Sequence, residues 1–268
     1  MLTAVTFIHE SGEKEYIEAA LKSLSFADEI VVIDNGAPAE VLKIVRKYTG
    51  KIFRDQTADF AHHHNLGKDK ATGDWILYID SDERVSPALA DEIKTTLARP
   101  GHDAYKLRRV NFFLGKKVRF GDRYPDMVAR LFKKDKLSGW NGEIHESSLV
   151  SGKIGGLSAP LYHLTHRDIY SMIAKTVNFS EHEAKLRWQA GHPPIVGWRL
   201  LRVLISEMWQ RLIVYQGIRG GTEGFIDGIF QAFSLFIVYA RLWELQRQKP
   251  LPETYRELDG KILSGEEI

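Results

Sequence analysis

The sequence predicts an α/β protein on a mostly parallel sheet flanked by helices, and three observations predict it. Short, unbroken apolar runs recur through the N-terminal part of the chain; amphipathic stretches separate them; and two of the runs end on acidic residues. Strands buried on both faces read as continuous apolar segments, and alternation of strands with helices is the pattern of a parallel sheet covered on both sides. Ligands of such sheets sit beyond the carboxyl ends of the strands. The acidic strand ends at Asp34 and at Asp80-Ser81-Asp82-Glu83 therefore mark the rim to examine.

Each element follows in order. Residues 2–8 form a β-branched apolar run, and residues 14–24 repeat Tyr16, Ile17, Ala20, Leu21 and Leu24 at helical spacing. Residues 29–34, EIVVID, read as a strand closed by the turn-forming Asn35-Gly36. Residues 41–48 read as a helix, 51–54 as a strand and 62–70 as a helix closed by Thr72-Gly73. Residues 75–79, WILYI, form a strand running straight into the acidic cluster, and residues 87–97 a helix. The character then changes. Residues 105–113 and 117–120 read as antiparallel strands around Gly115, 127–132 as another strand, and the Gly-, His- and Ser-rich residues 139–166 as loops and short strands. Residues 169–247 are helical and apolar, interrupted at 191–194 and by the glycines between Gly217 and Gly228. The expected division is a sheet-bearing domain over 1–168, a helical region over 169–248 and a loosely attached polar tail over 249–268.

Composition narrows the function. With 44% hydrophobic and 27% charged residues the chain is globular rather than disordered. Lys and Arg number 37 against 35 Asp and Glu, a balance that argues against a nucleic-acid binder. The absence of cysteine removes disulfides, thiolate zinc sites and thiol catalysis. The first residues lack a basic leader, so no secretory signal is expected. No run of 18 apolar residues occurs, so a membrane-spanning helix is not expected either; in residues 225–243 the uncharged part, between Asp227 and Arg241, is too short.

The acidic cluster carries the sharpest chemistry. Carboxylates at i and i+2, Asp80 and Asp82, can converge on a hard divalent cation such as Mg2+ or Mn2+ that keeps positions open for diphosphate oxygens. The alternative is a solvated acidic turn capping the next helix. His62-His63-His64 cannot all reach one ion, because adjacent helical residues point apart; His163 and His166 could supply one ligand between them.

EIVVIDNG and HHHNLGKDKATGDWILYIDSDERV resemble the nucleotide-sugar half of family 2 glycosyltransferases, which have the GT-A fold; Asn65, Gly67, Ala71, Gly73, Asp74, Asp80 and Asp82 fall in the family's order. YPDMVARLFKKD, WNGEIHESSL and LYHLTHRD resemble a bacterial branch that works in lipopolysaccharide-core and surface-glycan assembly. The resemblance covers roughly residues 1–240 and implies a metal-dependent, inverting transfer from a nucleotide sugar, a UDP-sugar, to a saccharide or lipid-linked acceptor. Asp34 would meet the base or ribose, although Asn35-Gly36-Ala37-Pro38 departs from the family's usual turn. Asn65 falls among the nucleotide-sugar-binding positions. Asp80 would face the ribose or the metal, Asp82 would bind the metal directly, and Asp74 would order the turn before the strand. Glu146 is the first candidate for general base and Glu143 the second; His145 would bind metal or the leaving group. Arg130 would clamp the diphosphate through its fork of donors. Trp140 would stack on a sugar face or fill the core.

The helical region suggests a membrane surface. Arg187, Arg199, Arg202, Arg211 and Arg219 stand against the single acid Glu207, interleaved with Trp198, Leu201, Leu204, Ile205, Met208, Trp209 and Leu212. That pattern suits an anionic bilayer, here the cytoplasmic face of an inner membrane, and a helical hairpin or dimer interface is the alternative. Two rival functions stand beside the transferase: a nucleotidyltransferase, disfavoured because the acidic His9-Glu10-Ser11-Gly12-Glu13 replaces a phosphate loop, and a non-catalytic membrane-associated binding protein on the same fold.

Overall fold

A computed structural model describes residues 1–9, 14–57, 59–122, 124–142 and 147–266. They form two compact units, one of Met1–Lys117 with Pro125–Thr165, the other of Val118–Tyr124 with His166–Ile268.

In the first unit β1 (Leu2–His9), α1 (Lys14–Ser23), β2 (Glu29–Asn35), α2 (Ala39–Val45), β3 (Ile52–Arg54), α3 (Phe60–Lys70) and β4 (Trp75–Tyr78) alternate as expected. β5 (Glu83–Val85), α4 (Pro87–Ala98), β6 (Ala104–Phe113), β7 (Lys116–Lys117), β8 (Asp126–Lys133), β9 (Leu137–Asn141), β10 (Ser147–Val150) and β11 (Ile154–Thr165) follow. The main sheet has the order β3-β2-β1-β4-β8-β6-β11-β5, with β7 beside β6, and β9 and β10 form a separate hairpin. The β3-β2-β1-β4 half is parallel throughout; β8 runs antiparallel to β4 and β6, β11 parallel to β6, and β5 antiparallel to β11. The chain steps outward from β1 to β3 and then returns to β1's other side as β4. The strand order therefore reverses between β1 and β4, the place where an open α/β sheet leaves a crevice.

Seven of β1's eight residues are buried because helices cover both of its faces. Leu2 and Ala4 pack with Leu24, Leu77, Leu89 and Ile93 on one face. Val5 and Phe7 pack with Tyr78, Phe132 and Trp140 on the other. Gly67 lets α3 lie against β1, since a Cβ there would stand 2.5 Å from Val5 Cγ1. Glu29, buried at the start of β2, ties the layers together. It accepts from the Thr3 hydroxyl, the Lys51 ammonium, the Thr72 N–H (2.8 Å) and the Thr72 hydroxyl (2.9 Å). Burial alone would raise its pKa, but these donors outweigh it and hold the carboxyl at about 2.

The second unit contains α5 (Ile169–Gln189), α6 (Gly197–Trp209), a wide turn over Gln210–Val214, a 3-10 turn over Gly217–Gly220, α7 (Gly221–Leu245) and α8 (Leu251–Ser264). Asp168 caps α5, accepting from Ser171 N–H at 2.6 Å. Ala184, Ile195, Val238 and Leu242 form the buried cluster that joins α5 to α7.

Several expectations are corrected. Residues 139–166 hold the 12-residue β11, and β5 begins at Glu83, the last residue of the acidic cluster. The expected break at 191–194 separates α5 from α6, and the second break falls at Gln216, just before Gly217, with a left-handed φ of 58°. Gly224 and Gly228 do not interrupt α7 but allow close packing, since a Cβ would stand 2.3 Å from Gly217 O and 2.5 Å from Leu212 Cδ2 respectively. The polar tail is the helix α8, none of whose residues is buried. Gly217–Leu245 is also long and apolar enough to cross a membrane by length and composition, with 22% of its most apolar window buried.

Candidate active site

Asp34 ends the buried part of β2, only 3% exposed. Its Oδ1 accepts from Ala37 N–H at 2.7 Å, holding the turn through Gly36, whose φ of 84° suits glycine. The acidic turn after β4 closes on itself in the same way. Glu83 N–H donates to Asp80 O at 2.9 Å, and Asp80 N–H donates to Glu83 Oε2 at 3.1 Å.

Those carboxylates belong to a continuous polar chain. Arg130 on β8 donates through Nη2 to Asp80 Oδ2 and, at 3.0 Å, to Glu83 Oε1. Glu83 Oε1 also faces Arg109 Nη1 on β6 at 3.4 Å. Arg109 Nε donates to Asp126 Oδ2 at 2.7 Å, and Asn111 Nδ2 donates to the same oxygen at 2.9 Å. Asn111 Oδ1 lies 2.6 Å from His163 Nδ1 on β11, and His163 Nε2 lies 3.3 Å from Asp82 Oδ2. The chain thus starts on Asp80 and returns to Asp82. The sheet order makes this possible: β4, β8, β6, β11 and β5 are successive neighbours, and Arg109 and Asn111, two apart on one strand, share a face.

The electrostatics follow from burial. Glu83 is 0% exposed, so burial, with Asp80 beside it, raises its pKa against the pull of Arg130, His163 and Arg109. Burial disfavours the Arg130 cation, but Asp80 and Glu83 more than compensate and keep it protonated. Because Asn111 Nδ2 is given to Asp126, its Oδ1 faces the ring and places the hydrogen on His163 Nδ1. That bond fixes the orientation of the His163 ring with its Nε2 toward the Asp82 carboxylate.

Other sequence-derived site residues have different roles. Arg130, expected as a diphosphate clamp, is a buried counter-ion that spends its Nη2 on the Asp80 and Glu83 carboxylates, while its Nε is buried without a hydrogen-bond partner. Asn65 spends its amide on the main chain of Trp140, donating to Trp140 O at 3.0 Å and accepting from its N–H at 2.9 Å; it positions β9 rather than facing a nucleotide. Trp140 fills the core, its ring 4.2 Å from His64, 5.2 Å from Tyr78 and 5.6 Å from Phe132 (centroid distances). No sugar can stack on a face so covered. His63 and His64 are buried too, and burial pulls His64 down to about 4. Asp74 is exposed, and its carbonyl accepts from Lys134 N–H at 2.8 Å. Glu143, His145 and Glu146 lie outside the described residues. Sequence reasoning missed Arg109, Asn111 and Asp126; the signal available was the pair of polar residues two apart in the apolar strand 105–113.

Among the described residues no group of three or more His, Asp or Glu side chains gathers around one point to hold a metal ion. Asp82 and His163 are the nearest such pair on this rim, one oxygen and one nitrogen donor. They fit a hard divalent ion only if that ion takes its remaining ligands from a bound molecule and water.

The sequence model of "Glycosyl transferase family 2" matches residues 5–148. An uncharacterized glycosyltransferase of Rickettsia conorii is 24% identical over 270 residues, covering 94% of each chain. The lipopolysaccharide core biosynthesis glycosyltransferase LpsC of Rhizobium meliloti is 21% identical, over 92% of this chain and 94% of that one. Among solved structures, S. aureus TarS 1-349 in complex with UDP-GlcNAc aligns with a TM-score of 0.48 at 14% identity, over 99% of this chain and 92% of that one. The mannosyltransferase PcManGT of Pyrobaculum calidifontis, in complex with GDP-Man and Mn2+, aligns with the same TM-score of 0.48 at 14% identity, over 98% of this chain and 80% of that one. The α/β GT-A class with helices after it, expected from the sequence, is the class of this chain. The matched segment runs from β1 through the acidic turn into β10, and it makes the protein a glycosyltransferase of family 2.

Proposed function

We propose that the protein transfers a sugar, with inversion, from a UDP-sugar to a saccharide or lipid-linked acceptor in the assembly of lipopolysaccharide or a related bacterial surface glycan. The observation that carries this reading is the position of Asp80 and Asp82, held by the polar chain at the carboxyl end of β4, where the strand order reverses. The similarity to LpsC supports the choice of glycan, and family membership decides against the nucleotidyltransferase.

Asp34 would accept hydrogen bonds from the uracil imide or the ribose hydroxyls, and Asp80, fixed by Arg130, would order the ribose side of the site. Asp82 and His163 would hold Mn2+ or Mg2+. When bound, such an ion neutralises charge on the departing diphosphate. Glu146, with Glu143 as the second choice, would take the proton of the acceptor hydroxyl. The hydroxyl oxygen then bonds to the anomeric carbon on the face opposite the breaking bond to the diphosphate. His145 would contact the metal or the leaving group. A lipid-linked acceptor would place the enzyme peripherally on the cytoplasmic face of the inner membrane.

The test is UDP release from a panel of UDP-sugars, with acceptor supplied as lipopolysaccharide precursor. Glu146→Gln should retain donor binding and lose transfer by a factor on the order of 10²–10⁴. Near-normal transfer would reassign the base. Release of diphosphate from a sugar 1-phosphate and a nucleoside triphosphate would overturn the transferase reading.

A further inference from the structure

Among the described residues most of the exposed large apolar side chains belong to the second unit; the exceptions are Met1, Met127, Leu149, Ile154 and Tyr162. Single exposed apolar residues are ordinary, but a contiguous patch calls for a partner. α6 supplies the clearest case. Its inner face buries Val203 and packs Leu200 against the Ala184–Ile195–Val238–Leu242 cluster. Its outer stripe is apolar as well: Trp198, Leu201, Ile205 and Trp209 recur at helical spacing and are 58–61% exposed. Ile213, Val214 and Ile218 extend the stripe past the helix end.

Charge selects the partner. The guanidinium carbons of Arg199 and Arg202 each lie 5.6 Å from the centre of the Trp198 ring. Glu207, the acidic residue of α6, is taken by Arg211 at 3.0 Å. The stripe therefore offers two tryptophans, branched aliphatic side chains and two cations on one outward face. Tryptophan rings settle at the boundary between headgroups and acyl chains, and arginines beside them reach lipid phosphates. A protein partner of matching shape would be met as well by leucines alone; cations around a ring that seeks the interface suit a negatively charged bilayer.

We infer that the outer face of α6 is a docking surface for anionic lipid, with Trp198, Leu201, Ile205 and Trp209 entering the interface and Arg199 and Arg202 binding headgroup phosphates. The inference rests on the membrane location proposed above and gives it a surface and a lipid class. Its test does not depend on catalysis.

The full chain is sedimented with vesicles of phosphatidylcholine alone or mixed with phosphatidylglycerol, and UDP-sugar turnover is followed in parallel. Binding should require phosphatidylglycerol and weaken as salt rises. Arg199→Gln with Arg202→Gln should reduce it about 30-fold. Trp198→Ala with Trp209→Ala should abolish sedimentation while leaving the circular dichroism spectrum unchanged, because both rings are exposed. Trp188→Ala, an equally open ring on α5 at 52% exposure, should bind as wild type. The inference is overturned by equal binding to both vesicle types, by no binding, or by equal loss in Trp188→Ala. It also falls if the lipid-free chain is a stable dimer that Trp198→Ala with Trp209→Ala converts to monomer, since the face would then be a contact between copies. Turnover without vesicle binding would leave the transferase reading intact and remove only the lipid surface.

Discussion

Replacing Arg130 by methionine isolates the energetics of the polar chain. Arg130 touches two carboxylates that differ sharply in their access to water. The Asp80 side chain is 37% exposed and can rehydrate, so losing its partner costs about 0–1 kcal/mol. Glu83 is 0% exposed and would be left with Arg109 at 3.4 Å, a cation already committed to Asp126. Removing one partner of a buried pair strands the other, at a cost of about 3–5 kcal/mol. Arg130→Met should therefore lose about that much stability in urea unfolding at neutral pH. The pH dependence gives the mechanism away. Glu83's carboxyl already sits above its ordinary range and rises further without Arg130. The folded variant then binds a proton that the unfolded chain releases, so its stability recovers as pH falls toward the ordinary carboxylate value and is lost as pH rises. Adding Glu83→Gln to Arg130→Met should restore part of the loss at pH 7, because the stranded charge is gone. A loss below about 1 kcal/mol, a gap between variant and wild type that does not change with pH, or no gain from the second substitution would refute this reasoning.

Gly67→Ala should destabilise by about 1–3 kcal/mol in the same assay, because its Cβ meets Val5 Cγ1 at 2.5 Å; Gly50→Ala, with open space around it, should stay within about 0.5 kcal/mol of wild type. Glu29→Gln should flatten the acid limb of the stability curve. Its carboxyl, held at about 2 against an ordinary 4.5, supplies stability that is complete above 4.5 and lost as pH falls through 2. Asp82→Asn should sharply reduce metal-dependent binding of a UDP-sugar in calorimetry, and an unchanged Mn2+ requirement would remove Asp82 from the metal's ligands. Chelation with EDTA should weaken UDP binding to the wild type and leave the thermal midpoint of the nucleotide-free protein in place.

Legibility in the sequence followed the length and continuity of the apolar runs. β1, β2 and β4 are buried on both faces, so their residues are unbroken runs, and the acidic turn stood out because it follows one of them directly. β11 was hidden. IGGLSAPLYHLT carries two glycines, a serine and a proline, and its register shifts between Leu157 and Pro160, so neither alternation nor a continuous run marks it. β5 is three residues long and begins with Glu83, whose charge reads as surface when it is in fact fully buried. The chain joining the partners of the acidic turn was hidden for a different reason, although Arg130 and His163 were candidates on their own. Arg109, Asn111, Asp126, Arg130 and His163 are distant in sequence, and only the order β4-β8-β6-β11 brings them to one place. Trp140 shows the converse limit. An aromatic beside a candidate base serves a sugar or a core equally well on paper, and the covering of its ring by His64, Tyr78 and Phe132 decides for the core.

The charge of the rim bears on the metal. Asp80, Asp82, Glu83 and Asp126 share the rim with Arg84, Arg109 and Arg130, so the two signs of charge are close to balance there. With Glu83 drawn toward its neutral form by burial, the rim carries no large surplus of positive charge to receive an anion. A nucleoside diphosphate brings further negative charge to the same edge. Two like-charged groups a few ångströms apart repel by several kcal/mol wherever water is partly excluded. Without added positive charge such a rim would hold a nucleoside diphosphate poorly. A divalent ion held by Asp82 and His163 would supply two positive charges there and could keep positions open for phosphate oxygens. This balance of charge, rather than the spacing of the two aspartates alone, is the physical ground for proposing Mn2+ or Mg2+ at this site.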